Sequence, residues 1–291
     1  MKPSYVKIGL WREGRVRIYA AETTQVVQTI THYHHTLQVA SAALGRTLTV
    51  AAMMGTMLKD DAKLTIKITG NGPLGYVIVD ATSTGQVRGF VQHPDVVLPL
   101  KSNGKIDVGG GIGQGTLSVT KSLSLKQNYA TQVALQNGEI GEDFSFYFLK
   151  SEQSPSVVAV GVLVDTDYSI AHAGGWIIQL MPDATDEDFG VVENLANTMP
   201  QPTKLLAETE LQTGLDTFMP DIQWLDRRSI VDFCTCSIPR FVSGIATLHS
   251  SEIEEMIHTG GVDIRCEFCG KHYHLGKEHL EDALSITKDT K

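Results

Sequence analysis

Two short stretches, Asp232-Phe233-Cys234-Thr235-Cys236-Ser237-Ile238 and Arg265-Cys266-Glu267-Phe268-Cys269-Gly270-Lys271-His272-Tyr273-His274, hold all four cysteines of this 291-residue chain. The first pair is spaced CxC and the second CxxC. In a reducing cytosol, thiols grouped this closely are more often metal ligands or redox groups than permanent disulfides. Structural zinc takes four tetrahedral ligands, which two short chelating segments can supply. The two stretches therefore predict a zinc site near the C-terminal end.

Both spacings suit a single ion. In an extended segment residues i and i+2 point to the same side, so Cys234 and Cys236 can face one metal. Cys266 and Cys269 form the usual tight knuckle, and Gly270 is free to take a positive φ angle. Two histidines stay open as substitute ligands, although the cysteines alone complete the shell: His272 and His274.

Each cysteine pair can also form a local disulfide. Modest bending brings such a pair within the usual Cα to Cα distance of about 4.4 to 6.8 Å. Zinc holds the sulfurs as thiolates, which are the species that oxidants attack. Structural zinc contributes about 10 to 16 kcal/mol in small peptides, and disulfides that close very short loops cannot replace that constraint. We therefore expect loss of the ion to unfold a small C-terminal module, so that oxidation switches it from order to disorder.

Composition and charge exclude several classes of protein. Apolar residues make up 42% of the chain and charged residues 20%, as in ordinary globular proteins. A formal net charge of -9, with no cluster of Lys and Arg, argues against a nucleic-acid partner. The N-terminus lacks an apolar signal region, and the longest apolar run, Val157–Val164, is too short to cross a bilayer. We expect a cytoplasmic protein without a membrane partner.

The composition changes twice along the chain and predicts three parts. Residues 1–180 mix strands, helices and glycine-rich turns without a regular βαβ repeat, which predicts an α/β (α+β) core domain with a mixed sheet. Residues 181–226 are acidic, helical in period and interrupted by prolines, which indicates a helical linker. Residues 227–291 are expected to form a small C-terminal zinc-binding domain. In it Ser251 and Glu254 indicate a capping box for a helix that Gly260 ends.

Periodicity predicts the elements of the core. A helix capped by Thr23 or Thr24 is expected to end at Gly45, and a second to run from Leu48 to Lys59. A third is expected from about Glu139. The strand-like segments are Tyr5–Ala20, Lys63–Thr69, Tyr76–Asp80, Gln86–Gln92, Leu117–Lys121, Thr131–Gln136 and Ser156–Val164.

Two glycine-rich segments resemble nucleotide-binding motifs but lack their context. Gly70–Gly75 matches GxGxxG, yet the residues after it are β-rich, which favours a hairpin turn over a dinucleotide site. Gly109–Gly115 has no Lys-Ser/Thr pair and precedes a strand, which indicates a flexible loop.

Other residues with chemical potential have simpler interpretations. The histidines of the first helix have no carboxylate or cysteine placed to complete a metal site, and the methionines of the second are expected in the core. These residues are His32, His34, His35, Met53, Met54 and Met57. No grouping of Ser, His and Asp supports a nucleophile, and we expect no enzymatic activity.

Further segments, together with the cysteine pairs, carry a resemblance to a known family: Ala43–Ala52 (ALGRTLTVAA), Gly70–Gly75, Lys105–Gly109, Ser151–Ser156 and Ala173–Gly175. Over nearly its whole length the chain resembles the redox-regulated 33 kDa heat-shock chaperones of bacteria. The resemblance implies an ATP-independent holdase that binds unfolding proteins under oxidative stress. Activation would follow from cysteine oxidation, zinc release and linker unfolding, with dimerisation of the active form.

The resemblance also implies roles for the cysteines. Cys234, Cys236, Cys266 and Cys269 would bind one zinc ion per chain in the reduced state. After oxidation Cys234 would pair with Cys236, and Cys266 with Cys269. No motif marks the client-binding surface, and no residue is assigned to it.

Two other functions stay open. A zinc ribbon could bind nucleic acid or a protein partner, although the module is acidic at Glu252, Glu254, Glu255, Glu267 and Glu278. A thiol oxidoreductase would need a thioredoxin-like βαβ context, and none precedes Cys266.

Overall fold

The computed structural model of the protein describes residues 2–123 and 127–289. The chain divides into two compact units, Met1–Phe233 and Cys234–Lys291. The strands are β1 (Tyr5–Trp11), β2 (Val16–Glu22), β3 (Lys63–Gly70), β4 (Tyr76–Thr82), β5 (Gln86–Val91), β6 (Gly115–Leu123), β7 (Gln127–Ala134), β8 (Ser156–Val164), β9 (Ile170–Leu180), β10 (Gln223–Ser229), β11 (Val231–Asp232), β12 (Val262–Arg265) and β13 (His272–Leu275). The helices are α1 (Thr24–His34), α2 (Gln38–Thr56), α3 (Val108–Ile112), α4 (Gly141–Lys150), α5 (Asp186–Thr198), α6 (Pro202–Glu208), α7 (Leu211–Phe218), α8 (Ile238–Ile245), α9 (Ser250–His258) and α10 (Lys277–Asp289).

The larger unit contains a five-stranded antiparallel sheet in the order β10-β1-β2-β9-β8. The single strand expected over Tyr5–Ala20 is in fact the hairpin of β1 and β2. A 3-10 turn, Arg12–Gly14, separates the two strands, and Glu13 within it has a φ angle of 58°. The chain can therefore reverse in a segment whose apolar pattern alone resembles one continuous strand.

The second sheet has the order β11-β5-β4-β3-β6-β7. Its strands are antiparallel except for β11, which pairs in parallel with β5. The predicted mixed sheet is thereby confirmed. Thr69 of β3 lies opposite Tyr76 of β4, and the Gly70 N–H donates to the Gly75 carbonyl over 2.9 Å. Gly70–Gly75 is thus a hairpin turn, as predicted.

Helix α2 is the centre of the main core. All its residues except Gln38 and Arg46 are buried, and it packs against strands of both sheets. The predicted helix end at Gly45 is wrong: α1 ends before His35, which has a φ angle of 49°, and Gly45 lies inside α2. A Cβ atom on Gly45 would lie 2.7 Å from Val27 Cγ1 and 2.8 Å from a methyl carbon of Val162. Glycine is therefore required there for close packing.

The outer face of the five-stranded sheet is covered by α5, α6 and α7, which we call the cover helices. The outer face consists of Val16, Ile18, Ala20, Trp176, Ile178 and Leu180. The cover helices and the residue that follows them contribute Val192, Leu195, Leu205, Leu211, Leu215 and Met219 to the same apolar cluster. Helices of 13, 7 and 8 residues are at best marginal in isolation. Their order therefore depends on packing against the outer face.

A buried carboxylate fixes the start of α5. Asp188 is fully buried, and one of its oxygens accepts hydrogen bonds from the Thr185 N–H at 2.9 Å and from Arg15 Nε at 2.8 Å. Arg12 bonds the other oxygen. Burial raises the pKa of Asp188, but the hydrogen bonds from Arg12, Thr185 and Arg15 outweigh it and hold the pKa well below its ordinary value of 3.8. The first cover helix is therefore tied to the turn between β1 and β2.

The smaller unit has a core of its own, formed by α8, α9, α10 and the hairpin of β12 and β13. Its buried residues include Val242, Ile245, Ile253, Leu275, Leu280 and Ala283. The predicted capping box is displaced: Glu252, and not Glu254, accepts a hydrogen bond from a backbone N–H, that of His249, at 2.9 Å. The helix ends at His258 and Gly260 has a φ angle of 94°, as the sequence predicts.

Other predictions differ from the structure in detail. The loop expected over Gly109–Gly115 begins instead as the short helix α3, because the Asp107 carboxylate accepts a hydrogen bond from the Gly110 N–H at 2.9 Å. Met53 and Met54 are buried in the core, as predicted. No helix in residues 2–123 and 127–289 combines the length and apolar character needed to cross a membrane. The domain boundaries at 180 and 226 stay predictions.

Candidate metal centre

Four thiols converge in the smaller unit. The sulfur atoms of Cys234, Cys236, Cys266 and Cys269 all lie within 4.8 Å of one another, and all four residues are buried or half-buried. Two contacts join the two motifs: Cys234 Sγ lies 3.7 Å from Cys266 Sγ, and Cys236 Sγ lies 3.4 Å from Cys269 Sγ. Four sulfurs this close together could hold one metal ion, and a set of four thiolates is a donor set that zinc accepts.

The second pair is positioned by the turn of a β-hairpin. Cys266 and Cys269 lie between β12 and β13, and the Cys266 N–H donates to the Lys271 carbonyl at 2.9 Å. The Gly270 N–H donates to the Cys266 carbonyl at 2.8 Å. Gly270 has a φ angle of 68°, so the positive φ predicted from the sequence is present. These backbone hydrogen bonds hold the turn from which both sulfurs project.

The first pair lies in an irregular segment. Cys234 and Cys236 come two and four residues after the end of β11 and precede α8, whose first turn contains Pro239. Proline suits the first turn of a helix because the N–H that it lacks has no partner there. The segment from Cys234 to Ser237 is therefore bounded by a strand and a helix start, which limits where its two sulfurs can lie.

A tyrosine side chain lies in contact with the sulfur cluster. Tyr273 of β13 places its hydroxyl oxygen 3.1 Å from Cys236 Sγ, and its ring packs against Phe241 of α8 with centroids 5.0 Å apart. His272 and His274 precede and follow it on the opposite, exposed side of the strand. His274 Nδ1 lies 2.8 Å from an Asp263 carboxylate oxygen, and neither histidine belongs to the four-sulfur group.

Three of the thiols differ in acidity. Burial, opposed by the Lys271 N–H, raises the pKa of the Cys269 thiol to about 12. Burial also raises the pKa of Cys266. For Cys236 burial acts in the same direction, but hydrogen bonds, first that from Tyr273 and then that from Cys269, outweigh it and lower the pKa to about 7. Among these three thiols, Cys236 is therefore the one that most readily ionises in the metal-free protein.

Comparison with known proteins identifies the family of the chain. A family model described as Hsp33 protein matches residues 4–276. The chain belongs to the Hsp33 family. It is 42% identical over 282 residues to the 33 kDa chaperonin of Bacillus pumilus, covering 96% of this chain and 97% of that relative. It is 40% identical over 293 residues to the 33 kDa chaperonin of Staphylococcus epidermidis, covering 99% and 100%.

A solved structure extends the family relation to the whole fold. The 33 kDa chaperonin (heat shock protein 33 homolog) of Thermotoga maritima superposes with a TM-score of 0.93 at 33% identity, over 99% of this chain and 100% of that one. The resemblance stated from sequence motifs is thus confirmed. The names of these Hsp33 relatives support a chaperone function for this chain.

Sequence reasoning found the sulfurs but missed Tyr273 and Phe241. A signal for Tyr273 exists in the alternation of His272-Tyr-His-Leu275, because residues two apart on a strand share a face and Leu275 is buried. The sequence contains no comparable signal for Phe241, because its partner Tyr273 lies on a hairpin more than thirty residues away along the chain.

Proposed function

We propose that this Hsp33 family member is a redox-regulated, ATP-independent holdase that binds unfolding proteins under oxidative stress. The observation that carries the proposal is the convergence of all four cysteine sulfurs of the chain within 4.8 Å, in a unit separate from the apolar sheet. Family membership supports the chaperone part. The alternatives, a zinc ribbon that binds nucleic acid or a protein partner and a thiol oxidoreductase, have no comparable support.

In the reduced state, Cys234, Cys236, Cys266 and Cys269 would be the ligands of one zinc ion. Their donor chemistry fits, because four sulfurs can supply a complete tetrahedral shell without histidine. Bound zinc would keep the sulfurs as thiolates and cross-link the segment before α8 to the hairpin after α9. The small core of the unit makes such a cross-link important, since structural zinc is worth about 10 to 16 kcal/mol in comparable peptides.

Oxidation would remove these ligands in a balanced two-electron step for each pair. One thiolate attacks hydrogen peroxide, which gives a sulfenic acid and releases hydroxide. The second thiolate attacks that sulfur, forms the disulfide and expels a second hydroxide. Two sulfurs have then lost one electron each, and one peroxide has gained both. We propose the pairs Cys234–Cys236 and Cys266–Cys269; both close loops too short to stabilise the unit.

The change would reach the cover helices along the chain. Cys234 follows β11, a two-residue strand with both side chains exposed, and β11 follows β10, whose side chains are mostly exposed. We propose that loss of order at Cys234 frays β11 first and then β10, which pairs with β1 over six residues, back toward α7. We propose that residues 181–226 form the linker that unfolds in this way, between a core domain of residues 1–180 and a zinc-binding domain of residues 227–291.

Release of the cover helices would expose the outer face of the sheet. That face presents Trp176 and five aliphatic side chains, a continuous apolar surface of the kind that marks protein interaction sites. Unfolded client segments expose apolar side chains of their own. We propose that the outer face contributes to client binding, that activated chains form homodimers, and that the protein acts in the cytoplasm without a nucleic-acid or membrane partner.

The experiment measures zinc content and suppression of client aggregation before and after treatment with peroxide at mildly raised temperature. We expect one zinc per reduced chain, its loss on oxidation, and aggregation suppression without ATP only afterwards. Mass spectrometry would map the disulfide pairs. Equal chaperone activity in reduced, zinc-loaded protein and oxidised protein would refute the redox mechanism.

A variant tests the ligand assignment directly. Cys266→Ser should lower zinc affinity and make residues 234–291 sensitive to protease under reducing conditions. Ser243→Ala, at an exposed position of α8, is the control and should behave like the parent. A Cys266→Ser chain that holds zinc and resists protease as well as the parent would show that the assignment is wrong.

A further inference from the structure

Three of the four sulfurs have donors from different sources. The backbone N–H groups of Phe268 and Cys269 bond Cys266, and that of Lys271 bonds Cys269. These donors belong to the knuckle itself. Cys236 lies in the CxC segment, outside the knuckle, and its Sγ lies 3.1 Å from the Tyr273 hydroxyl, which is the donor of this pair when the sulfur is a thiolate. The Tyr273 hydroxyl thus supplies a hydrogen-bond donor to the CxC motif, whereas the backbone supplies the donors to the CxxC motif.

Distances indicate that the sulfur is the main acceptor of the tyrosine proton. The hydroxyl oxygen is 3.1 Å from Cys236 Sγ and 3.3 Å from the Cys236 carbonyl oxygen. Hydrogen bonds between a hydroxyl and an oxygen are usually about 2.5 to 3.0 Å long, so the second contact is long. Sulfur has a larger radius than oxygen, which makes 3.1 Å a close approach. The single O–H proton therefore favours the sulfur.

The tyrosine is held in place from two directions. Its backbone pairs with Ile264 across the hairpin of β12 and β13, and its ring packs against Phe241 of α8 at an interplanar angle of 53°. The hairpin carries the CxxC motif, and α8 follows the CxC motif. Tyr273 therefore connects the two motifs through a hydrogen bond as well as through apolar contact.

We infer, on the basis of the proposed zinc function, that Tyr273 is a positioning residue that orients the Cys236 sulfur toward the metal and slows its oxidation. A hydrogen bond to a thiolate withdraws electron density from the sulfur. In zinc-bound protein, where the metal would already hold every sulfur as a thiolate, this makes the Cys236 sulfur a weaker nucleophile toward peroxide, in the step that gives a sulfenic acid and releases hydroxide. The same bond fixes the direction of the ligand, and loss of such supporting bonds typically weakens metal binding about 10- to 100-fold.

The test variant is Tyr273→Phe in the full-length chain, which removes the hydroxyl and keeps the ring. We expect the zinc dissociation constant to rise about 10- to 100-fold and peroxide to modify Cys236 earlier relative to the other cysteines, as measured by mass spectrometry of alkylated samples. With cobalt in place of zinc, the sulfur-to-metal charge-transfer band should move to lower energy, because an unbonded thiolate gives up an electron more easily.

Tyr168→Phe is the matched control, because it removes the hydroxyl of an exposed tyrosine in the larger unit. It should leave the zinc affinity, the cobalt band and the order of oxidation unchanged. Unchanged values of all three in Tyr273→Phe, with zinc still bound to the parent, would overturn the role of Tyr273 alone. An equal band shift in Tyr168→Phe would overturn it as well. A parent that binds neither metal would refute the proposed zinc site itself.

Discussion

Substitution of Leu215 by alanine should release the cover helices without any oxidation. Leu215 is fully buried in α7, within the cluster shared by the cover helices and the outer face. Leu→Ala changes at such sites cost about 2 to 5 kcal/mol, since burial is lost and a cavity remains. The seven- and eight-residue helices α6 and α7 have little stability of their own to offset this loss.

The expected change in population follows from that cost. Each 1.4 kcal/mol is a factor of about ten, so the fraction of chains with undocked cover helices should rise about 30-fold at the lower limit and more than about 1,000-fold at the upper. The main core around α2 does not include Leu215 and should keep its protection. The change should therefore be local and not global.

Hydrogen exchange of the zinc-loaded, reduced protein measures this directly. Amides of α5, α6 and α7 should exchange faster in Leu215→Ala, and those of α2 should not. Aggregation of a heat-denatured client should be suppressed before any oxidant is added. Leu225→Ala is the control, because Leu225 is 60% exposed and its truncation should change stability by no more than about 0.5 kcal/mol. Unchanged exchange in the cover helices of Leu215→Ala would refute the view that apolar packing holds them.

Three further predictions concern stability and pH. Asp188→Asn should destabilise the protein by about 1 to 3 kcal/mol at neutral pH, because its arginine partners lose a buried charge. Since folding lowers the pKa of Asp188 below 3.8, the stability that its charge contributes is complete above that pH and shrinks as the pH falls below it. The difference in melting temperature between parent and Asp188→Asn should therefore be smaller at about pH 3 than at about pH 7. A difference that stays constant would contradict this. Gly190→Ala, where a Cβ meets nothing within 4 Å, should stabilise α5 by about 0.5 to 1 kcal/mol and delay activation by peroxide. Gly214→Ala, where a Cβ would lie 2.7 Å from Leu205 carbons, should hasten activation. Activation times equal to that of the parent would count against both predictions. Gly45→Ala should lower the free energy of unfolding by about 1 to 3 kcal/mol, which a lower denaturant midpoint would show. A midpoint equal to the parent's would show that the core accommodates the methyl group at no cost.

The part of the site that sequence could predict is the part set by local spacing. CxC and CxxC restrict where four sulfurs can point, and Gly270 indicates the turn behind the second pair, so the cluster follows from a few neighbouring residues. Tyr273 depends on a contact between a hairpin and a helix that are distant in sequence, and no local spacing encodes it.

The fold shows the same division between local and long-range information. Most strands and the short helices near 190–218 follow from periodicity, whereas the pairing of β2 with β9 joins segments about 150 residues apart. The sequence predicts a helix end at Gly45 because glycine usually disfavours helix interiors. Its actual position reflects contacts with Val27 and Val162, and packing of this kind overrides local propensity.

All three tryptophans of the chain lie at the boundary between the five-stranded sheet and its cover helices: Trp176 is buried in that cluster, and Trp11 and Trp224 pack against it. Indole emission moves to longer wavelength when the ring passes from an apolar to an aqueous environment. The protein thus carries an intrinsic fluorescent reporter at the one surface that uncovering would alter, while the cysteine unit contains no tryptophan. Oxidation of the cysteines and uncovering of the sheet can therefore be followed separately, and tryptophan emission reports the uncovering in real time without an attached label.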